Sequence, residues 1–272
     1  RLIVDSFAGM EAISRVAKRH DPKTPNNVFL KVDVGLHRCG LREDDPLLMK
    51  LAKALHEESS LNFLGLLSHA GHVYGAKTFD EARKIARDEC QILARVRRQL
   101  EDNGIPVVEV SVGSTPTILA SDSYEGITEI RPGNYVFMDR TPLRFHFIEL
   151  DEIALSVLAT VVSANSEYFI IDTGSKVLSS DLGAHGIAGM EGYGLAYPAE
   201  RFQEKDAEMV VVKLSEEHGF VARRGLDLPI GSRLRLIPNH SCVVANLADT
   251  YTVVRDDQVI NQWAIVARGA VR

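Results

Sequence analysis

Chemistry-bearing side chains fall in short strings. In Lys31-Val32-Asp33-Val34-Gly35-Leu36-His37-Arg38-Cys39-Gly40 an apolar strand pattern runs into a glycine turn that carries Arg38. An arginine just past the C-terminal end of a strand offers a permanent cation to a phenolate, carboxylate or phosphate. A surface arginine on a turn explains the string equally well. Gly65-Leu66-Leu67-Ser68-His69-Ala70-Gly71-His72 places two histidines after the next strand. Neutral imidazoles there could bond a cofactor or act as a base; one semi-buried and one loop histidine is the plainer account. Ser111-Val112-Gly113-Ser114-Thr115-Pro116-Thr117 leads from a strand into a helix start. Its N–H groups and the Ser114 and Thr115 hydroxyls suit an anion, or serve as an ordinary N-cap. In Glu129-Ile130-Arg131-Pro132-Gly133-Asn134-Tyr135, Gly133 admits close backbone approach, and Arg131 and Tyr135 could flank a ring or complete an anion site. A turn with a packed tyrosine is the alternative.

The second half holds Pro238-Asn239-His240-Ser241-Cys242. Read as an extended segment, it turns His240 and Cys242 to one face. Imidazole and thiolate together suit a borderline-soft ion such as Zn²⁺. A structural zinc site needs more donors, so the pair would form an open site completed by water, substrate or a distant residue. A buried cysteine beside a surface histidine is the commoner meaning of His-x-Cys. Ser215-Glu216-Glu217-His218-Gly219 adds His218, a general base or metal partner, or simply a solvated loop. Asp172-Thr173-Gly174-Ser175-Lys176 reads as a charged pair around a glycine turn.

These strings need a scaffold, and the first half supplies alternating elements. Strands are expected at Leu2–Asp5, Val28–Val34, Leu61–Ser68, Val107–Val112 and Ile127–Arg131. Helices are expected at Met10–Arg19, Pro46–Glu57, Thr78–Asp102 and Pro116–Ala120. The long helix has capping-box spacing at Thr78 and Glu81, and its apolar stripe runs through Ala82, Ile85, Ala86, Leu93, Val96 and Leu100. Helices between strands imply parallel crossovers. A barrel of eight such units takes about 250 residues, so this stretch is short by roughly three units. The second half reads as strands at Ile153–Ser163, Tyr168–Asp172, Met209–Leu214, Arg233–Ile237, Tyr251–Val254 and Val259–Val266. The glycine-rich Leu178–Pro198 reads as irregular. The expected organisation is an α/β domain over 1–145 and an all-β domain over 146–272.

With 31 basic and 37 acidic side chains the 272-residue chain carries a net charge of −6, which excludes a generic nucleic-acid footprint. No apolar run approaches the roughly 18 residues of a spanning helix. Three scattered cysteines, Cys39, Cys90 and Cys242, make no disulfide framework, so a cytoplasmic setting is expected, with no membrane or nucleic-acid partner.

Taken in order, the strings VDVGLHRCG, GLLSHAGH, SVGSTPT, EIRPGNYVFMD, DTGSK, SEEHG, PNHSCVVANL and WAIVARG resemble the D-threonine aldolase and D-serine dehydratase family. These are fold-type III pyridoxal-phosphate (PLP) enzymes with an alanine racemase-like barrel. The resemblance implies an α/β plus all-β fold: a partial (β/α)8 barrel of TIM type, then a C-terminal β-domain. It implies that Arg38 contacts the cofactor phenolate. Ser114 and Thr115, with Gly133 and Asn134, form the phosphate cradle. Tyr135, His69 and Arg131 surround the ring, with His69 and His218 as candidate acid–base groups. His240 and Cys242 match the zinc pair of the dehydratase branch; the aldolase branch more often uses Asp at the second position and an ion such as manganese. The implied substrates are D-β-hydroxy amino acids, and the implied assembly is a homodimer.

The departure from the family is the PLP lysine, which there lies on an early barrel strand. None of the ten lysines matches it. Lys31, read as preceding its strand's core, is expected to point to the N-terminal rim, supporting the neighbouring arginine as in related racemases. Together with Arg at position 1 and the strand count, this predicts a fragment beginning just before the fourth barrel strand and inactive by itself. A non-catalytic PLP-binding protein and a racemase are the competing readings; neither accounts for the His-x-Cys pair.

Overall fold

The computed structural model describes residues 1–20, 25–183 and 190–270. The chain divides into two compact units, Arg1–Gly133 and Asn134–Arg272. The change of character expected at 145/146 lies on the second side of that division.

The first unit alternates strand and helix: β1 (Leu2–Val4), α1 (Phe7–His20), β2 (Asn26–Lys31), α2 (Pro46–Glu57), β3 (Leu61–Leu67), α3 (Phe79–Asp102), β4 (Glu109–Val112), α4 (Thr115–Ala120) and β5 (Glu129–Ile130). The strands pair in parallel, in chain order β1 to β5, as the helical crossovers require. Helix α2 starts where Asp45 accepts from Leu47 N and Pro46 occupies the first turn, where its missing N–H costs nothing. Helix α3 starts at Thr78, whose hydroxyl accepts from Glu81 N at 3.2 Å. The Glu81 carboxylate takes the Lys77 N–H instead of completing the expected capping box. Leu93, Val96 and Leu100 of α3 and Leu48, Leu51 and Leu55 of α2 bury against Val28, Leu30, Leu66 and Val110 of the sheet. Within the sheet, Gly65 is glycine by necessity. Gly65, inside β3, has φ +148°, and a Cβ there would lie 2.0 Å from the Glu109 carbonyl oxygen.

The second unit begins with α5 (Arg140–Arg144) and continues with β6 (Val157–Ala164), β7 (Tyr168–Ile171), α6 (Ser175–Leu178), β8 (Gly194–Pro198), β9 (Met209–Leu214), β10 (Gly219–Ala222), β11 (Arg233–Pro238), α7 (Ser241–Leu247), β12 (Thr250–Arg255) and β13 (Gln258–Ala264). Six strands close into an antiparallel barrel in the order β10-β7-β6-β11-β8-β9, and β12 pairs with β13 alone. Closure pairs the backbone groups that an open sheet leaves at its edges. Inward residues Val161, Phe169, Ile171, Met209, Val211, Val221, Leu234 and Leu236 fill the barrel. A second layer, including Ile153, Leu195, Tyr197, Val210 and Ile237, packs outside it.

Two expectations fail here. Part of the Leu178–Pro198 stretch read as irregular is β8, buried at all five positions; residues 184–189 of that stretch lie outside the described residues. A strand covered on both faces shows no alternation. The Pro238–Cys242 string is not extended throughout. Pro238 ends β11, His240 caps a helix, and Cys242 lies in the first turn of α7.

Candidate active site

In the first unit the candidate residues lie past the C-terminal ends of the strands. The loop after β2 is built around Asp33. Its Oδ1 accepts from Gly35 N at 3.0 Å and His37 N at 3.1 Å, and its Oδ2 meets His37 Nδ1 at 2.9 Å. Burial raises the Asp33 pKa, but these donors outweigh it and hold the carboxyl below its ordinary value. His37 takes a left-handed φ of +55°, which exposes His37, Arg38 and Cys39 on the outer turn. The chain then folds back so tightly that a Cβ on Gly40 would sit 2.8 Å from Asp33 N.

Lys31 overturns its expected orientation. It is the last residue of β2, so it stands at the C-terminal rim, not the N-terminal one. It is 5% exposed and feels the charges of Glu89, Arg131, Cys39 and Arg38. Desolvation lowers its pKa to about 8. The sequence reading placed the strand end three residues too late, at Val34. The chain leaves the sheet at Val32, which bridges to Leu41.

Glu89 of α3 escaped the sequence reading. It is 2% exposed and lies in the stripe of Ala82, Ala86, Leu93, Val96 and Leu100 that buries against the sheet. A lone acid in an apolar stripe is the signal that could have found it. Its carboxylate accepts from Ser68 Oγ, just past β3, and from Gly113 N, just past β4. Desolvation raises its pKa against these bonds and the charges of Arg131 and Lys31. The Gly113 carbonyl in turn accepts from His69 Nδ1 at 3.0 Å, which fixes that tautomer. Arg131 donates to Ser68 O and to Ser111 Oγ. Lys31, Ser68, Glu89, Gly113 and Arg131 thus form one buried polar layer under the strand ends. His72 packs against Gly35, and its Nδ1 is buried without a partner among the described residues.

The Ser114–Thr115 turn behaves first as a cap. Ser114 Oγ and Thr117 Oγ1 form a reciprocal capping box. Thr115 Oγ1 accepts from Gly133 N at 3.1 Å. All three hydroxyl residues are buried. Their hydroxyls therefore tie the turn to itself and to Gly133, while a Cβ on Gly133 would meet nothing within 4 Å.

In the second unit Asn134 begins a segment centred on Asp139. This carboxylate, fully buried, accepts from Asn134 Nδ2 at 2.7 Å, Thr141 N at 2.9 Å and Ser241 N at 3.0 Å. Desolvation raises its pKa, opposed by those donors and by the charge of His240. Asn134 Oδ1 and Ser241 Oγ, both buried, have no partner in this cluster. Tyr135 is 52% exposed. Asn239 donates to Gly192 O at 2.9 Å and accepts from Arg140, which sets the backbone ahead of His240.

His240 and Cys242 do converge, through a helix start and not an extended face. Desolvation lowers the His240 pKa, but hydrogen bonds to Cys242 and Asp181 outweigh it and lift it to about 9. Asp181 Oδ2 lies 3.1 Å from His240 Nδ1. Cys242 is a free, exposed thiol. Among the described residues no three His, Cys, Asp or Glu side chains are placed to hold a metal ion together. The chain therefore offers an open pair of borderline-soft donors, which fits an ion finished by water or substrate.

His218 is exposed in the turn between β9 and β10, where its carbonyl accepts from Ser215 N at 2.8 Å. The Asp172–Lys176 and Ser215–Gly219 strings form one structure. Ser175 N and Lys176 N donate to Ser215 O and Glu216 O, and Lys176 pairs with Glu216 and Glu217.

For PLP the fit is divided. In the first unit, exposed Arg38 and the open face of Gly133 each suit an anion. Among the described lysines only Lys31 ends a strand of the parallel sheet, and it belongs to the buried layer. Among the described residues no helix is long and apolar enough to cross a membrane.

Comparison with known proteins agrees with this architecture. Residues 1–141 match the family model "Alanine racemase, N-terminal domain" and residues 154–254 match "Putative serine dehydratase domain". The chain is 32% identical to D-threo-3-hydroxyaspartate dehydratase of Delftia sp. (strain HT23), over 97% of this chain and 71% of that protein. It is 33% identical to D-threonine aldolase of Arthrobacter sp., over 90% of this chain and 62% of the aldolase. The solved Delftia dehydratase superposes with a TM-score of 0.86 at 31% identity, covering 96% of this chain and 71% of that one. Two further structures of a D-threo-3-hydroxyaspartate dehydratase, at TM-scores of 0.87 and 0.86 and 30% identity, replace a histidine and a cysteine two positions apart; they cover 96% of this chain and 69% and 71% of theirs. The cysteine variant is described as metal-free. The chain belongs to the D-serine dehydratase and D-threonine aldolase family, PLP lyases of fold-type III with an alanine racemase-like first domain.

Proposed function

We propose that this chain serves a metal-assisted PLP lyase acting on D-β-hydroxy amino acids, in the manner of a D-serine dehydratase or D-threonine aldolase. The observation that carries the reading is the His240–Cys242 pair with Asp181 on the histidine's Nδ1. A D-threo-3-hydroxyaspartate dehydratase similar to this chain has been solved with a histidine and a cysteine at the same spacing replaced. When bound, PLP supplies an electron sink for the electrons left on the substrate's Cα.

His240 and Cys242 would hold a divalent ion, with zinc favoured by the thiolate, and such an ion would supply Lewis-acid and template chemistry toward a β-hydroxyl. His69 donates from Nδ1 to Gly113 O, so in its neutral form Nε2 carries the lone pair and takes the proton. On the family resemblance, Arg38 would meet the cofactor's phenolate, Gly133 and Asn134 its phosphate and Tyr135 its ring, each assigned residue by residue; Ser114 and Thr115 shape the approach to Gly133. Arg131 anchors the Ser68 and Ser111 ends of the strands beneath it. His218 keeps its acid–base assignment on resemblance alone. The dehydratase branch is favoured by Cys242. The homodimer and the cytoplasmic setting belong to the same proposal.

None of the ten lysines matches the family's PLP lysine, so these 272 residues alone should bind the ion without turnover. The test is zinc analysis with D-serine and D-threonine assays, followed by borohydride reduction in the presence of PLP and peptide mapping. Bound zinc lost in His240→Ala, with no PLP adduct on Lys31, is expected. Bound zinc that survives His240→Ala overturns the metal role, and turnover or a Lys31 adduct overturns the account of the lysine.

A further inference from the structure

We propose that Asp181 is a positioning residue that holds the His240 imidazole in its metal-binding orientation. The proposal rests on the reading of His240 and Cys242 as an ion-binding pair. The two Asp181 oxygens have separate duties. Oδ1 accepts from Gly183 N at 3.2 Å, and Oδ2 lies 3.1 Å from His240 Nδ1. The loop that presents this carboxylate is fixed from below. Helix α6 ends on Leu178, 2% exposed in the barrel core. Ser179 then takes a φ of +66°, and its hydroxyl accepts from Asp181 N at 3.1 Å. Turning the chain through a left-handed serine costs energy that a free loop would avoid. Here the turn aims one carboxylate oxygen at one ring nitrogen.

The backbone around His240 is held independently. Asn239, 1% exposed, is bonded to Gly192 O, and Ser241 N is bonded to Asp139. With its main chain fixed, the remaining freedom of His240 is rotation of the ring. Asp181 removes that freedom. A ring that donates from Nδ1 keeps the Nε2 lone pair for an ion, and the carboxylate makes that nitrogen a more basic ligand. Asp181 lies far from His240 in sequence, in a glycine-rich stretch with no periodicity, and nothing local pairs the two.

The experiment measures Zn²⁺ affinity by competition titration, and the absorption spectrum of the Co²⁺-loaded chain, for wild type, Asp181→Ala, Asp181→Asn, His240→Ala and Cys242→Ala. Asp181→Ala should weaken Zn²⁺ by about 10–100-fold, keep the thiolate-to-cobalt band from Cys242, and shift the ligand-field bands. Asp181→Asn, whose amide oxygen can still accept from Nδ1, should recover part of the loss. Metal-free thermal unfolding of both variants should match wild type, which separates positioning from folding. Zn²⁺ affinity of Asp181→Ala within about twofold of wild type, with an unchanged Co²⁺ spectrum, overturns the proposal. Equal losses in the Ala and Asn variants also overturn it, by making Asp181 a ligand in its own right. If His240→Ala and Cys242→Ala bind like wild type, the pair itself is wrong and the proposal falls with it. If they lose the ion and Asp181→Ala does not, the pair stands and only Asp181 fails.

Discussion

Replacing Glu89 tests the buried layer beneath the strand ends. The side chain is 2% exposed and takes hydrogen bonds from Ser68 Oγ and Gly113 N. Lys31 and Arg131 are its cationic neighbours. Glu89→Ala removes both acceptors and the negative charge that Lys31 and Arg131 feel. Each orphaned donor costs roughly 1–3 kcal/mol. Two such donors give an expected loss of about 2–6 kcal/mol out of a total of about 5–15. Glu89→Gln keeps the shape and one acceptor, and should lose only about 1–3 kcal/mol. Equilibrium urea unfolding supplies the numbers. The pH dependence has a definite sign. Burial raises the folded-state pKa of Glu89 above its unfolded value of 4.5. Its contribution is therefore full below pH 4.5 and declines as pH rises through the folded value. Glu89→Gln should remove that decline. A Glu89→Ala chain within about 0.5 kcal/mol of wild type, or a Gln variant with the wild-type pH slope, would refute the reasoning.

Three further expectations follow from the same geometry. Gly65→Ala places a Cβ 2.0 Å from the Glu109 carbonyl at φ +148°, so it should lose at least about 3 kcal/mol or fail to fold, read by thermal unfolding. Lys31 has its folded-state pKa lowered to about 8 against 10.5 unfolded, so its contribution is present above pH 10.5 and lost as pH falls through 8. Across that window wild type should gain stability with rising pH relative to Lys31→Met, measured as urea midpoints. Zn²⁺ at about 100 times its dissociation constant should add about 2.7 kcal/mol of stability, a shift that a chelator, His240→Ala or Cys242→Ala removes.

Much of the fold was readable from local signals. Pro46–Glu57 is a helix over its whole predicted span because Asp45 caps it and Pro46 fits its first turn. The five parallel strands were countable because each is followed by a turn or helix start, and Thr78–Asp102 because its apolar stripe repeats at helical spacing. Strand β8 was not readable, since burial on both faces erases alternation. Nor was β10, whose four residues follow a polar turn. His240 and Cys242 lie together through a cap and a first helical turn, a geometry that differs from the extended segment the spacing predicts. Lys31 was misplaced because strand ends depend on where the sheet stops pairing, which no local pattern marks.

The sequence by itself determined residue types and their spacing: the family strings, the helix stripes and the His-x-Cys pair. These are properties of neighbours along the chain. Only the tertiary structure decided that Glu89 grips the ends of two strands, that Asp139 ties Asn134 to Ser241, and that Asp181 meets His240. Each of these carboxylates finds its partners across sheet or barrel closure. Around Glu89 and Asp139 burial excludes water, so the donors that folding brings together must satisfy one another.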